Sequence, residues 1–176
     1  MGITQLGAWP GGTVLDLAAA SGSDTVLAAT FTGISRSEDG GASWHSVQAD
    51  LPDWFIQALV LAESPGGVVG LAASRMGWVY RSTDGGETWA PISDTRDTGG
   101  ITRLVASPTF AADGIVFACT QEDGVFKSTD RGRTFKSANF GLLNLNVMAL
   151  GFSPAFASGR AHDETLFCGT DGGGLF

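Results

Sequence analysis

Four apolar runs recur along the chain at similar spacing: Val14-Leu15-Asp16-Leu17-Ala18, Ile56-Gln57-Ala58-Leu59-Val60, Ile101-Thr102-Arg103-Leu104-Val105 and Val147-Met148-Ala149-Leu150-Gly151. Each opens on a β-branched residue and carries Leu three places on, at Leu17, Leu59, Leu104 and Leu150. That pattern predicts short strands with a column of equivalent core positions. A second β-rich run ending in small residues follows each one, at 26–30, 68–74, 115–120 and 165–170. Small side chains at a fixed strand position predict another sheet packed close by. A third signal is Gly followed by an apolar or aromatic stretch: Gly33-Ile34-Ser35-Arg36, Gly77-Trp78-Val79-Tyr80-Arg81 and Gly124-Val125-Phe126-Lys127. A fourth, short signal lies at 44–47, 89–92 and 135–138.

Between the third and fourth signals the chain writes one turn three times. It reads Ser37-Glu38-Asp39-Gly40-Gly41-Ala42-Ser43-Trp44, then Ser82-Thr83-Asp84-Gly85-Gly86-Glu87-Thr88-Trp89, then Ser128-Thr129-Asp130-Arg131-Gly132-Arg133-Thr134-Phe135. The starts fall 45 and then 46 residues apart. Four strands per unit at that period predict an all-β fold, a β-propeller of four-stranded antiparallel blades joined through tight hairpins. The units run about 14–50, 56–93 and 101–138, with a partial fourth over 147–176. They are expected to form one domain, or a propeller fragment, over 1–176 with three full blades and part of another. Residues 1–13, and Ile3 to Trp9 within them, are available as a closing strand.

The repeated turn, called the box below, has a mechanical reading. Gly41, Gly86 and Gly132 permit positive φ, and the carboxylates of Asp39, Asp84 and Asp130 accept hydrogen bonds from the turn. The hydroxyls of Ser37, Ser82 and Ser128 add local caps, and Trp44, Trp89 and Phe135 pack across the hairpin. A catalytic acid or metal ligand is needed once, whereas a fold-making turn is needed in every blade.

The boxes resemble the Asp-box, or bacterial-neuraminidase, repeat of sialidases, sortilin-type receptors, xyloglucan-degrading glycosidases and a photosystem II assembly factor. Ser107-Pro108-Thr109-Phe110-Ala111-Ala112-Asp113-Gly114 resembles the sortilin and assembly-factor branch most, and Ser153-Pro154-Ala155-Phe156 repeats its start. The resemblance implies a propeller with the boxes on one side and binding loops on the other. It implies either a scaffold for a protein partner or a carbohydrate-active propeller. A sialidase of this family would need three arginines around the substrate carboxylate and a Tyr nucleophile. The sole tyrosine, Tyr80, stands at the strand position of Phe126 and Phe176 and reads as core.

The binding rim is expected where loops lead into first strands and join second to third. Trp54 and Phe55 are either an exposed apolar anchor or sugar platform, or caps on a neighbouring blade. Arg96 and Arg103, with Asp97 close by, either bind a carboxylate or form a solvated ion pair. Asp53, Arg75 and Glu122 lie on the same rim, where acidic residues serve either a cation, a basic partner or the turn itself.

Composition narrows the partners. With 10 Lys plus Arg against 18 Asp plus Glu, the formal net charge is -8, which argues against nucleic acid or an anionic membrane. No run reaches the roughly 20 apolar residues of a membrane span, and Met1-Gly2-Ile3-Thr4-Gln5-Leu6 lacks a signal-peptide pattern, so the cytoplasm is the default location, with an extracellular one open to a processed or trimmed chain. His45 and His162 sit in unrelated contexts, and no metal or cofactor site is expected. Cys119 and Cys168 fall one place apart in the aligned strands, so alternation puts them on opposite sheet faces and disfavours a disulfide. A partner, a second copy or further sequence is expected to complete the ring.

Overall fold

The computed structural model describes residues 12–47, 51–92, 99–139, 141–156 and 165–176. The first blade comprises β1 (Val14–Ala19), β2 (Val26–Thr30), β3 (Gly33–Ser37) and β4 (His45–Ser46). The second comprises β5 (Ile56–Ser64), β6 (Gly67–Ser74), β7 (Val79–Ser82) and β8 (Ala90–Pro91). In the third, β9 (Ile101–Ala106) is followed by a one-turn helix, α1 (Phe110–Asp113), and then by β10 (Val116–Thr120), β11 (Val125–Ser128) and β12 (Lys136–Ser137). The fourth has three strands, β13 (Val147–Phe152), β14 (Leu166–Thr170) and β15 (Gly174–Leu175). Every sheet is an antiparallel meander in chain order. The closing strand expected within 1–13 lies outside the described residues. Among those residues no helix is long and apolar enough to cross a membrane.

Blades stack face to face through their first strands. β1 packs on β5, β5 on β9 and β9 on β13, while β13 and β1 share no comparable contact. An apolar core fills each junction: Leu27, Ile34, Leu59 and Tyr80 lie between blades one and two, Leu71, Val79, Leu104 and Phe135 between two and three. The small residues predicted to sit under a neighbouring sheet, Ala28, Ala29, Ala72 and Ala73, are fully buried. The leucine column holds only where a blade stands on that side. Leu59 and Leu104 are buried, whereas Leu17 is 60% exposed.

Cys119 and Cys168 are both free and buried, and they share the core between blades three and four with Phe117 and Val147. Their opposite facings do not separate them, because one face of a blade meets the other face of the next. Burial pushes the Cys119 thiol up to about 12, with Cys168 nearby adding to it.

The boxes are held by bonds among their own side chains and N–H groups, and do one thing more. In blade two, Ser82 Oγ donates to Asp84 Oδ1 at 2.6 Å, and Oδ1 also accepts the N–H groups of Glu87 and Thr88 at 3.1 and 3.0 Å. Trp89 Nε1 donates to the Gly86 carbonyl at 3.0 Å. Asp39 and Asp130 repeat the pattern. Each later box also locks onto the preceding blade. Arg36 Nε donates to the Gly85 carbonyl at 3.0 Å, and Arg81 Nε to the Arg131 carbonyl at 2.9 Å. A Cβ on Gly86 would fall 2.7 Å from Leu27 Cδ2, and one on Gly132 would fall 2.5 Å from Leu71 Cδ2. The turn therefore serves as an inter-blade clasp as well as a hairpin.

Candidate functional site: a cavity where four inner strands converge

Each inner strand carries the same irregularity. The register skips Leu15 in β1, Gln57 in β5, Thr102 in β9 and Met148 in β13, so each is the extra residue of a bulge. Bulges re-aim side chains out of the ladder. Here all four line one cavity of about 430 Å³. The four are chemically unlike while their neighbours repeat. That non-repetition, in the second place of each apolar run, is a sequence signal that the rim-loop reading overlooks.

The remaining lining comes from Asp16, Phe55, Arg75, Arg103 and Gln121. Of the rim residues expected from sequence, the structure thus brings Phe55, Arg75 and Arg103 together. Arg75 lies over the Phe55 ring, 5.4 Å from its centroid, and Phe31 meets that ring edge-on at 4.6 Å. An aromatic pair with a guanidinium across it is an amphipathic, partly preorganised contact surface. No carboxylate forms an ion pair with Arg75 or Arg103 among the described residues.

The other expected residues have different work. Asp53 does not line the cavity: its carboxylate accepts the N–H groups of Phe55 and Met76, both at 3.2 Å, and so ties the loop before β5 to the turn after β6. The buried Tyr80 hydroxyl accepts the Asp53 N–H at 2.9 Å and donates to the Asp53 carbonyl at 3.0 Å. The tyrosine is core, as expected, but it also anchors the loop that presents Phe55. Trp54 is 62% exposed and does not cap a neighbouring blade; its Nε1 donates to the Leu51 carbonyl at 2.7 Å. Trp78 is stacked on Tyr80 and packed against the core. Glu122 is exposed in the turn before Gly124 and does not line the cavity. Arg96, Asp97 and His162 lie outside the described residues.

Asp16 is the one carboxylate in the lining among the described residues, and it is already engaged. Its Oδ1 accepts the Leu17 N–H at 2.9 Å and its Oδ2 accepts the Leu59 N–H at 2.8 Å, bridging blades one and two. Hydrolysis of a glycosidic bond by paired carboxylates needs two of them facing one substrate. The lining contains, among the described residues, neither a second carboxylate nor a histidine or cysteine. Among the described residues no three His, Cys, Asp or Glu side chains are placed to hold a metal ion. The cavity's described lining offers two guanidinium groups beside one aromatic ring.

No protein-family model matches the chain, and neither does any curated protein. Solved structures do. The chain is similar to an ancestral GH74 enzyme, with a TM-score of 0.67 and 17% identity over 93% of this chain and 22% of that one. It is similar to YCF48 bound to D1 peptide, with a TM-score of 0.64 and 15% identity over 90% of this chain and 48% of that one. It also matches the computationally designed Ika4 protein, with a TM-score of 0.66 and 15% identity over 100% of this chain and 97% of that one. The chain spans under a quarter of the enzyme and about half of YCF48. At these identities the likeness is one of fold. With three four-stranded blades and a three-stranded fourth, the protein is a β-propeller.

Proposed function

We propose that the protein is a non-catalytic Asp-box propeller scaffold that binds an acidic segment of a protein partner at the central cavity. The observation that carries this reading is the lining: among the described residues it holds two arginines without an ion pair, Phe55 backed by Phe31, and one carboxylate already held by two backbone N–H groups. A propeller solved with a peptide bound adds support. Labelled acidic and neutral peptides compared by fluorescence polarisation test it. The acidic peptides should bind more tightly, and Arg75→Ala and Phe55→Ala should each weaken them about tenfold, a typical loss for a central anchor. Affinity unchanged in both variants would sink the reading. If gluco-oligosaccharides bind instead, and Trp54→Ala alone abolishes that binding, the exposed indole is a sugar platform and the carbohydrate reading replaces it.

The scaffold also assembles with a second copy. Phe167 occupies the strand position of Leu27 and Leu71, which seal the next box, yet it is 47% exposed. Leu175, on the adjoining strand of blade four, is 75% exposed, and Leu17 on the far blade is 60% exposed. Apolar faces of this kind favour association. Light scattering should give a mass near twice the chain's 18.1 kDa, and Phe167→Asp should return it to one copy. A monomeric wild type at high concentration would refute self-association without touching the cavity.

A further inference from the structure

The box of blade three departs from its repeats in a way the turn does not require. Blades one and two place Gly40 and Gly85 at the corner, with φ 69 and 71, whereas blade three places Arg131 there with φ 61. It is the one positive-φ residue other than glycine among the described residues, and a Cβ is strained in that region. Two places on, Arg133 stands where the other boxes carry Ala42 and Glu87. Arg81, the clasp residue of blade two, reaches the same corner.

The three guanidinium groups are held by carbonyls rather than by carboxylates. Arg81 Nε donates to the Arg131 carbonyl at 2.9 Å, Arg131 Nη2 to the Ala111 carbonyl at 3.2 Å and Arg133 Nη1 to the Asp130 carbonyl at 3.0 Å. No ion pair reaches any of them among the described residues. The nearby Asp130 carboxylate is committed to Ser128, Thr134 and the box N–H groups. Arg131 Nε is buried and has no hydrogen-bond partner. Burial, then Arg133, lowers the Arg81 pKa, and Arg131 adds to this against the opposing pull of Asp130, so the cations feel one another. This concentration of uncompensated positive charge sits in a chain of net charge -8.

The cluster lines two adjoining cavities, of about 430 and 270 Å³, that share Arg81, Thr83 and Arg133. The larger has Trp89 and Pro91 in its wall; the smaller adds Arg131. Among the described residues neither shares a lining residue with the central cavity. We propose that this corner between blades two and three is a second binding site, for the phosphate or sulfate group of an organic monoester whose apolar part lies against Trp89 and Pro91. Guanidinium forks match tetrahedral oxyanions with paired, charge-assisted hydrogen bonds. A tetrahedral oxyanion monoester presents three terminal oxygens to the three guanidinium groups, where acetate presents two.

Calorimetric titration of the 176-residue chain with phenyl phosphate, phenyl sulfate, inorganic phosphate and acetate, at constant ionic strength, tests the site. One of the phenyl esters should bind about tenfold more tightly than inorganic phosphate, and acetate should not saturate. A phosphate ester weakens below its second ionisation near pH ~6, and a sulfate ester does not, which separates the two sources. Arg133→Gln should cut affinity at least about tenfold, and Arg131→Gly, which restores the residue of the other boxes, should do the same with the fold intact. Arg133 is exposed and bonds only to its own turn, so its variant decides the matter even if Arg131→Gly fails to fold. Equal affinity for acetate, or Arg133→Gln binding like the wild type, would overturn the proposal and leave the arginines as clasps alone.

Discussion

Gly132→Ala is expected to destabilise the protein by about 2–4 kcal/mol, from ~1 kcal/mol of left-handed backbone strain and ~1–3 kcal/mol of overpacking. The backbone there has φ 72, and the added methyl would lie 2.5 and 2.7 Å from the two Leu71 methyl carbons of the preceding blade. A surface leucine would swing aside. Leu71 is fully buried in the core between blades two and three and has nowhere to go. Gly85→Ala is the control that separates the two terms. Its φ is 71, but its Cβ would meet only Arg36 Nη2, at 3.9 Å, so about 1 kcal/mol of strain is all it should cost. Urea denaturation of both variants gives the comparison. Adding Leu71→Ala to Gly132→Ala should relieve the clash while opening space of its own, so the double variant should cost less than the sum of the singles. Equal losses for Gly132→Ala and Gly85→Ala would mean that the box is a hairpin turn only and does not clasp its neighbour.

That clasp shows where sequence was readable and where it was not. The strands, the period and the box follow from hydrogen bonds and alternation within about 10 residues, which a linear pattern records. Contacts between blades are recorded only indirectly. Leu17 and Leu59 are equivalent in the repeat, yet one is exposed and the other buried, because burial depends on which blade stands alongside. Cys119 and Cys168 make the same point from the other side. Strand alternation gives their facings, and stacking of blades turns opposite facings into a shared core.

The central cavity was half legible. Phe55 and Arg75 stand out on rim loops, and Arg103 near the rim in its apolar run, because they break the repeat, and the structure gathers them. The bulged residues break it too, as Leu15, Gln57, Thr102 and Met148, but within strands, where variation passes for ordinary surface change. A bulge leaves no Gly or Pro here to mark it. Arg131 was visible in the same sense: Asp130-Arg131-Gly132 against Asp84-Gly85-Gly86 is a plain departure. Its meaning depends on the positive φ and on Arg81 arriving from another blade, and neither is local to the motif. In a repeat protein, the residues that fail to repeat inside an otherwise faithful element deserve the same weight as those in irregular loops.

Acid should loosen the propeller in a narrow window set by the boxes. Asp39, Asp84 and Asp130 each have a pKa of about 2 against the ordinary 3.8. For Asp39 the Ser43 hydroxyl is the main cause, followed by the Ser43 N–H and the Ser37 hydroxyl. For Asp84 partial burial pushes upward and is outweighed by bonds from Ser82 and Thr88; for Asp130 it is outweighed by bonds from Thr134 and Ser128. The folded chain therefore gives up these protons more readily than the unfolded chain. The stability they contribute is complete well above pH 3.8, declines as pH falls below it, and is lost once pH has passed through about 2. Glu38, held below its ordinary range by Arg36, titrates in the same direction. These carboxylates face solvent, so each counts for less than its shift alone suggests. Because the boxes act in one cooperative fold, however, their proton uptakes add in the slope. Urea midpoints should be flat from pH 7 to 5 and fall steeply from about 4 to 2. Asp84→Asn should lower the midpoint at pH 7 and make the fall shallower by about one proton. A midpoint that stays level down to pH 2, or an acid slope untouched by Asp84→Asn, would show that the carboxylates decorate turns that glycine and serine hold unaided.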